Sequence, residues 1–133
     1  MKLKYLTRSL FGIIVAMFLL LPAVHAESTH SQVWIYDRNG KLLKHYTHAK
    51  NKKKVHEINV AIGDAGGTAE KSANLYPKKP KNVPVKYTYE LTDYHHKSKA
   101  VIYANREMYI HAHGIVVKVK LNRHQYRVLT DVD

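Results

Sequence analysis

A mainly β fold, a small antiparallel barrel of roughly seven or eight strands with one long loop, is predicted by three observations. Apolar residues alternate with polar ones from Val85 onward, glycine and asparagine punctuate the chain at short intervals, and no stretch carries a convincing amphipathic helical period. Alternation places one set of side chains on each face of a pleated strand. The first strand is Val33-Trp34-Ile35-Tyr36, rich in β-formers, with Trp34 and Tyr36 on the face opposite Val33 and Ile35. Asp37-Arg38-Asn39-Gly40 follows, and Asn-Gly can supply the positive φ angles of a tight hairpin turn. A second strand is expected over residues 41–48, then a lysine-rich connection over 49–54. Residues 55–62 alternate again, with His56, Ile58, Val60 and Ile62 on one face, which predicts the third strand of an N-terminal meander.

Residues 63–82 change character. Three glycines, two prolines, small polar residues and lysines predict an irregular loop, with room for a short helical turn over 68–75. Beyond it, Val85, Tyr87, Tyr89 and Leu91 alternate with Lys86, Thr88 and Glu90, so the two tyrosines are read as core. A polar turn over 92–98, a strand over 99–104 and a turn at Asn105-Arg106 come next. Across residues 107–121 the apolar parity flips at His113-Gly114, as it does at a β-bulge or a very tight hairpin. Residues 122–124 turn the chain, and a last strand over 125–130 shows Tyr126 and Val128 on one side.

The start of the chain has a different anatomy. Lys2, Lys4 and Arg8 precede an apolar run over residues 10–21, and Val24 and Ala26 occupy the −3 and −1 positions before Glu27. That pattern is a secretory signal peptide over 1–26 with cleavage after Ala26. The apolar run is about twelve residues, short of the roughly 20 of a membrane span, so a retained anchor is the weaker alternative. Residues 27–133 then form a single basic β domain. Removing the leader takes three of the 22 Lys+Arg and none of the ten Asp+Glu, which leaves a formal charge of +9. Such a field attracts polyanions, although excess lysine also keeps a β protein soluble and blunts its sheet edges. The chain has no cysteine. Small exported domains often depend on disulfides, so their absence fits an envelope without oxidative folding, as in Gram-positive cells.

Catalytic signals are few. No cysteine nucleophile exists, no serine lies in a G-x-S-x-G elbow, and the carboxylates are scattered, so no enzyme is expected. The glycines over 63–67 lack the Gly-Lys-Ser/Thr that a phosphate-cradling loop needs, and no cofactor is expected. Histidine is the unusual component. His111 and His113 are spaced to share one strand face, where His45 or His48 could add a third metal ligand. The alternative is a set of exposed rings that add charge together as pH falls through the ordinary histidine range near 6.5. The lysines at Lys50, Lys52, Lys53, Lys54, Lys78, Lys79, Lys81, Lys118 and Lys120, with Arg123, are the expected polyanion contacts. Solvated loop charge is the plainer reading of the same residues.

Tyr87-Thr88-Tyr89-Glu90-Leu91 with Tyr94, then Lys99 and Ala104-Asn105, resemble the YxeA-like family of small exported Gram-positive proteins. Gly114, Val117-Lys118-Val119-Lys120 and residues 126–132 continue the pattern, and residues 33–41 resemble the family's opening hairpin. The resemblance implies a small β-barrel behind a signal peptide and no particular activity. The histidine load and the segment 63–82 depart from it. A fainter similarity, through the same hairpin and the basic tail over 116–132, is to the S-layer-type wall-binding modules of lactobacilli, without their tandem repeat. The expectation that follows is a secreted protein that attaches to anionic cell-wall polymers or another polyanion, with no specific nucleic acid and no transmembrane segment after cleavage. Two alternatives stay open: a secreted cationic effector or inhibitor acting on membranes or a protein, and a histidine-based metal binder.

Overall fold

The computed structural model describes residues 28–67, 74–75, 78–94 and 96–133. The expected leader and cleavage site, most of the expected helical turn over 68–75, and His95 lie outside the described residues. Nine elements follow one another: β1 (Gln32–Asp37), β2 (Leu42–Thr47), α1 (His48–Gly67), β3 (Asn74–Leu75), β4 (Val85–Asp93), β5 (His96–Tyr103), β6 (Glu107–Ala112), β7 (Ile115–Lys120) and α2 (Arg123–Thr130). The strands form one antiparallel sheet in the order β2-β1-β4-β5-β6-β7-β3. The fold is mainly β, with two helices among the described residues.

The sheet is open. Its edges are β2 and the two-residue β3, so the expected barrel closure does not form among the described residues. The physical reason lies in the helices, which supply the apolar cover that closure would otherwise give. Val33, Ile35, Tyr89, Leu91, Ala100, Ile102, Met108, Ile110, Val117 and Val119 project from one face and join Val55, Ile58, Ile62 and Leu129 in one buried cluster. The Tyr89 hydroxyl, inside that cluster, donates to the Leu129 carbonyl at 2.7 Å, and its burial pushes the phenol pKa up.

The meander expected at the N-terminal end is therefore a hairpin followed by a helix. Val55, Ile58, Asn59 and Ile62 are buried, the i, i+3, i+4, i+7 spacing of one helical face. Over eight residues the same segment also alternates, which is why its sequence predicts a strand. The lysine-rich stretch 49–54 belongs to α1 as well, interrupted by non-helical backbone at Asn51 (φ −135°, ψ 44°). Residues 63–67 of the expected loop complete the helix. The final strand is likewise α2, which buries Gln125 and Leu129 four residues apart. Asn122 caps it: its side chain accepts from the Gln125 N–H at 2.7 Å, and the Gln125 side chain accepts from the Asn122 N–H at 3.0 Å. Asn122→Ala should cost about 1 kcal/mol of unfolding free energy, the usual worth of such a cap. Urea denaturation measures it, and an unchanged midpoint would remove the cap from the stability of the fold.

The turns follow the sequence reading more closely. At the first hairpin Gly40 has φ +82°, and Asp37 Oδ1 accepts from the N–H groups of Asn39 and Lys41 at 2.8 and 2.9 Å. The glycine alone takes the left-handed conformation there. At the parity flip His113 (φ 52°) and Gly114 (φ 76°) are both left-handed, so of the two expected devices the tight hairpin forms. β4 and β5 run further than expected and meet at Asp93 and His96, which shortens the polar turn.

Candidate functional site

Among the described residues no helix covers the second face of the sheet. One cross-strand row on this face runs His45, Trp34, Glu90, Lys99, His111, Val116, each residue in register with the next. Neighbours in such a row have Cβ atoms about 5 Å apart, close enough to act as one surface. Trp34 and His45 are stacked, with ring centroids 4.6 Å apart and planes 8° from parallel. Gln32 holds the imidazole through Nε2 at 2.8 Å. Beside this aromatic pair, Tyr36 donates its hydroxyl to Glu90 Oε2 at 3.3 Å. Partial desolvation and then the carboxylate raise the Tyr36 pKa.

The face is not uniformly open. Tyr103 and Tyr109 are buried against each other, ring centroids 5.1 Å apart, and the segment 78–84 lies over them. Tyr109 donates to the Lys78 carbonyl at 3.0 Å, and Ala104 N–H donates to the Pro84 carbonyl at 3.0 Å. The other half of the face is thereby left as a cleft of about 640 Å³, with Trp34, Glu90, Lys97, Lys99, His111 and Tyr94 among its walls. His111 is half-buried there, and its pKa is lowered by burial first, then by the charges of Lys99 and Lys79. The cleft therefore combines an aromatic platform, one carboxylate and a group of cations. This arrangement can stack a ring while pairing with an anion.

The expected polyanion contacts are distributed. Lys79 is exposed on the segment before β4, outside the walls of the cleft, and its charge acts on His111. Lys50, Lys52, Lys53 and Lys54 cluster around the interruption of α1, where with Glu57 they frame a second hollow of about 410 Å³. Lys78 and Lys81 are exposed on the segment before β4. Lys118 Nζ lies 3.4 Å from Glu107 Oε2, and Lys120 Nζ donates to the Asn105 carbonyl at 2.7 Å, so both are engaged within the protein. Arg123 is exposed at the start of α2. His111 and His113 do not share a strand face. The first is on β6; the second sits in the hairpin turn, with its ring 5.9 Å from that of His96. Among the described residues no three His, Cys, Asp or Glu side chains converge to hold a metal ion.

Lys97 and Lys99 are the lysines of the cleft, and neither is among the expected contacts. The signal for them is parity: both alternate with Ala100 and Ile102, which places them on the face opposite the core. Comparison with family models, curated proteins and solved structures finds no match for the chain. No helix of the described residues is long and apolar enough to cross a membrane.

Proposed function

We propose that this chain is a secreted, envelope-associated protein that binds anionic wall polymers through its open sheet face. The observation that carries the reading is the cleft in which Lys97, Lys99 and His111 stand beside the Trp34–His45 stack. The leader-like start of the chain, the basic excess and the resemblance to the exported YxeA-like family supply the address. The lysines around the start of α1 extend the attractive field without a ring to stack on, and they guide polymer toward the protein over a Debye length. The test is retention of labelled protein on purified walls before and after extraction of teichoic acid. Retention should fall after extraction and at high salt; equal retention on stripped walls would end the proposal. Release of dye from anionic vesicles would point to a membrane-active effector instead.

A pH dependence follows from His111. Burial and two lysines disfavour its imidazolium, whereas an anion in the cleft favours it, so binding takes up a proton. Affinity should rise as pH falls, with the His111 contribution arriving below the ordinary histidine range. The unliganded protein should show the opposite trend. Its unfolded chain binds the proton more readily than the folded one, so stability falls as pH drops through about 6.5. Binding isotherms between about pH 7.5 and 5 for wild type and His111→Gln measure the first effect. Parallel curves for the two proteins would remove His111 from the linkage.

A further inference from the structure

The cleft contains a carboxylate where a site for bare polyanions would have none. Glu90 stands between Trp34 and Lys99 in the cross-strand row, held by Tyr36, and faces the same space as Lys97 and His111. A ligand made only of phosphates would be repelled at that position. One that carries hydroxyl donors beside its anionic group would not, because the carboxylate accepts from them in strong charge-assisted hydrogen bonds. The Trp34 indole adds a flat platform pinned by its stack on His45. The negative face of an aromatic ring attracts the C–H edges of a pyranose, which carry partial positive charge. Lys97 and Lys99 are two residues apart on one strand face, so they lie roughly 7 Å from each other along β5. They can meet a phosphate and its neighbour on an extended chain.

We infer that the cleft is a subsite for a sugar-substituted polyol phosphate, with the sugar on Trp34 and Glu90 and the flanking phosphates on Lys97 and Lys99. The inference rests on the wall-polymer reading and narrows it from charge to chemistry: the pendant sugar, not the phosphate chain alone, is recognised. Trp34 is the single tryptophan of the chain, so intrinsic fluorescence reports the cleft directly.

The experiment titrates protein expressed from the full chain with three probes: a glucosyl-substituted glycerol phosphate oligomer, the same oligomer without glucose, and methyl glucoside. The substituted oligomer should bind about tenfold more tightly than the bare one and shift the Trp34 emission. Trp34→Ala and Glu90→Gln should each bring the two oligomers to within about twofold of each other. Trp34 is only half-buried on the uncovered face, so its loss leaves the core cluster intact; Trp34→Phe, which keeps a platform, should restore part of the preference. Equal affinity for both oligomers in the wild type, with retention on walls still dependent on teichoic acid, would overturn the subsite and leave the wall-binding proposal standing. Binding to neither oligomer, with undiminished retention on stripped walls, would overturn both. Tight binding of methyl glucoside alone would make the cleft a neutral-sugar site and overturn the assignment of Lys97 and Lys99.

Discussion

Ile58→Ala should lower the unfolding free energy by about 2–5 kcal/mol, the usual cost of emptying a fully buried aliphatic site. Ile58 is 0% exposed on the inner face of α1, against the sheet. For a domain of this size the loss amounts to roughly ten degrees or more in melting temperature. A matched pair makes the result diagnostic of the helix. Val55 is 0% exposed and Val60 is half-buried, although both undergo the same chemical change on replacement by alanine. Were residues 55–62 a strand with Ile58 and Val60 inward, Val55 would face solvent and its truncation would be nearly silent. In the helix Val55→Ala should be the costlier of the two. Thermal melts of the three variants decide the matter, and a larger loss at Val60 than at Val55 would return the segment to a strand.

Lys97→Gln with Lys99→Gln should weaken polymer binding about tenfold, since each exposed charge contact contributes up to about 1 kcal/mol. The comparison is Lys52→Gln with Lys53→Gln, which removes the same net charge from the hollow at the start of α1, outside the walls of the cleft. If the cleft is the point of contact, the second pair should cost less than about threefold, through weaker long-range attraction only. Isotherms at low and high salt separate the two contributions, because the field of the distant lysines is screened first. Equal losses from both pairs would mean that net charge, without a site, accounts for binding.

Much of the sheet can be read from alternation, and much of what cannot be read has a common cause. Tyr87 to Leu91, Met108 with Ile110, and Val117 with Val119 and Leu121 emerge with the expected apolar set inward, whereas the register shifts between Val85 and Tyr87 and takes Val85 to Tyr103. Residues 55–62 satisfy period two and period 3.6 at once, since Ile58 and Ile62 fit both. Only Val55 and Val60 distinguish them, and the β-branched valines weigh toward strand. The end of the chain offered a clearer sign. Asn122 with Gln125 three residues on is a capping box, and it outweighs the alternation of Tyr126 and Val128. The expected barrel counts both segments as staves; as helices they cover the sheet instead of extending it. The cleft was half legible. Parity sets Trp34 and Tyr36 apart from Val33 and Ile35, but alternation alone does not say which of the two faces is buried, and nothing in the sequence singles out Glu90. Lys97 falls inside the expected polar turn over 92–98, whereas Lys99 opens the expected strand over 99–104; neither stands out, because the pairing that sets β5 beside β4 and β1 is not visible in local alternation.

The pairing order of the sheet has a consequence for how the molecule is made. β4 to β7 are joined by short turns and pair with their sequence neighbours, so this meander assembles from local contacts. β1 instead waits for β4: the Tyr36 and Glu90 side chains that meet across that seam are 54 positions apart. A chain that emerges N-terminus first, from a ribosome or across a membrane, presents the β1–β2 hairpin long before its partner strand arrives. Until then the hairpin has a bare edge on each side, with α1 alone available to cover the inner residues Val33 and Ile35. Loop closure over that distance is the slow step expected of such a topology, and the aromatic wall of the cleft is placed against the cationic wall only when it is complete. Ligand recognition on the open face thus reports closure of the β1–β4 seam, and a nascent or truncated chain ending before β4 has none.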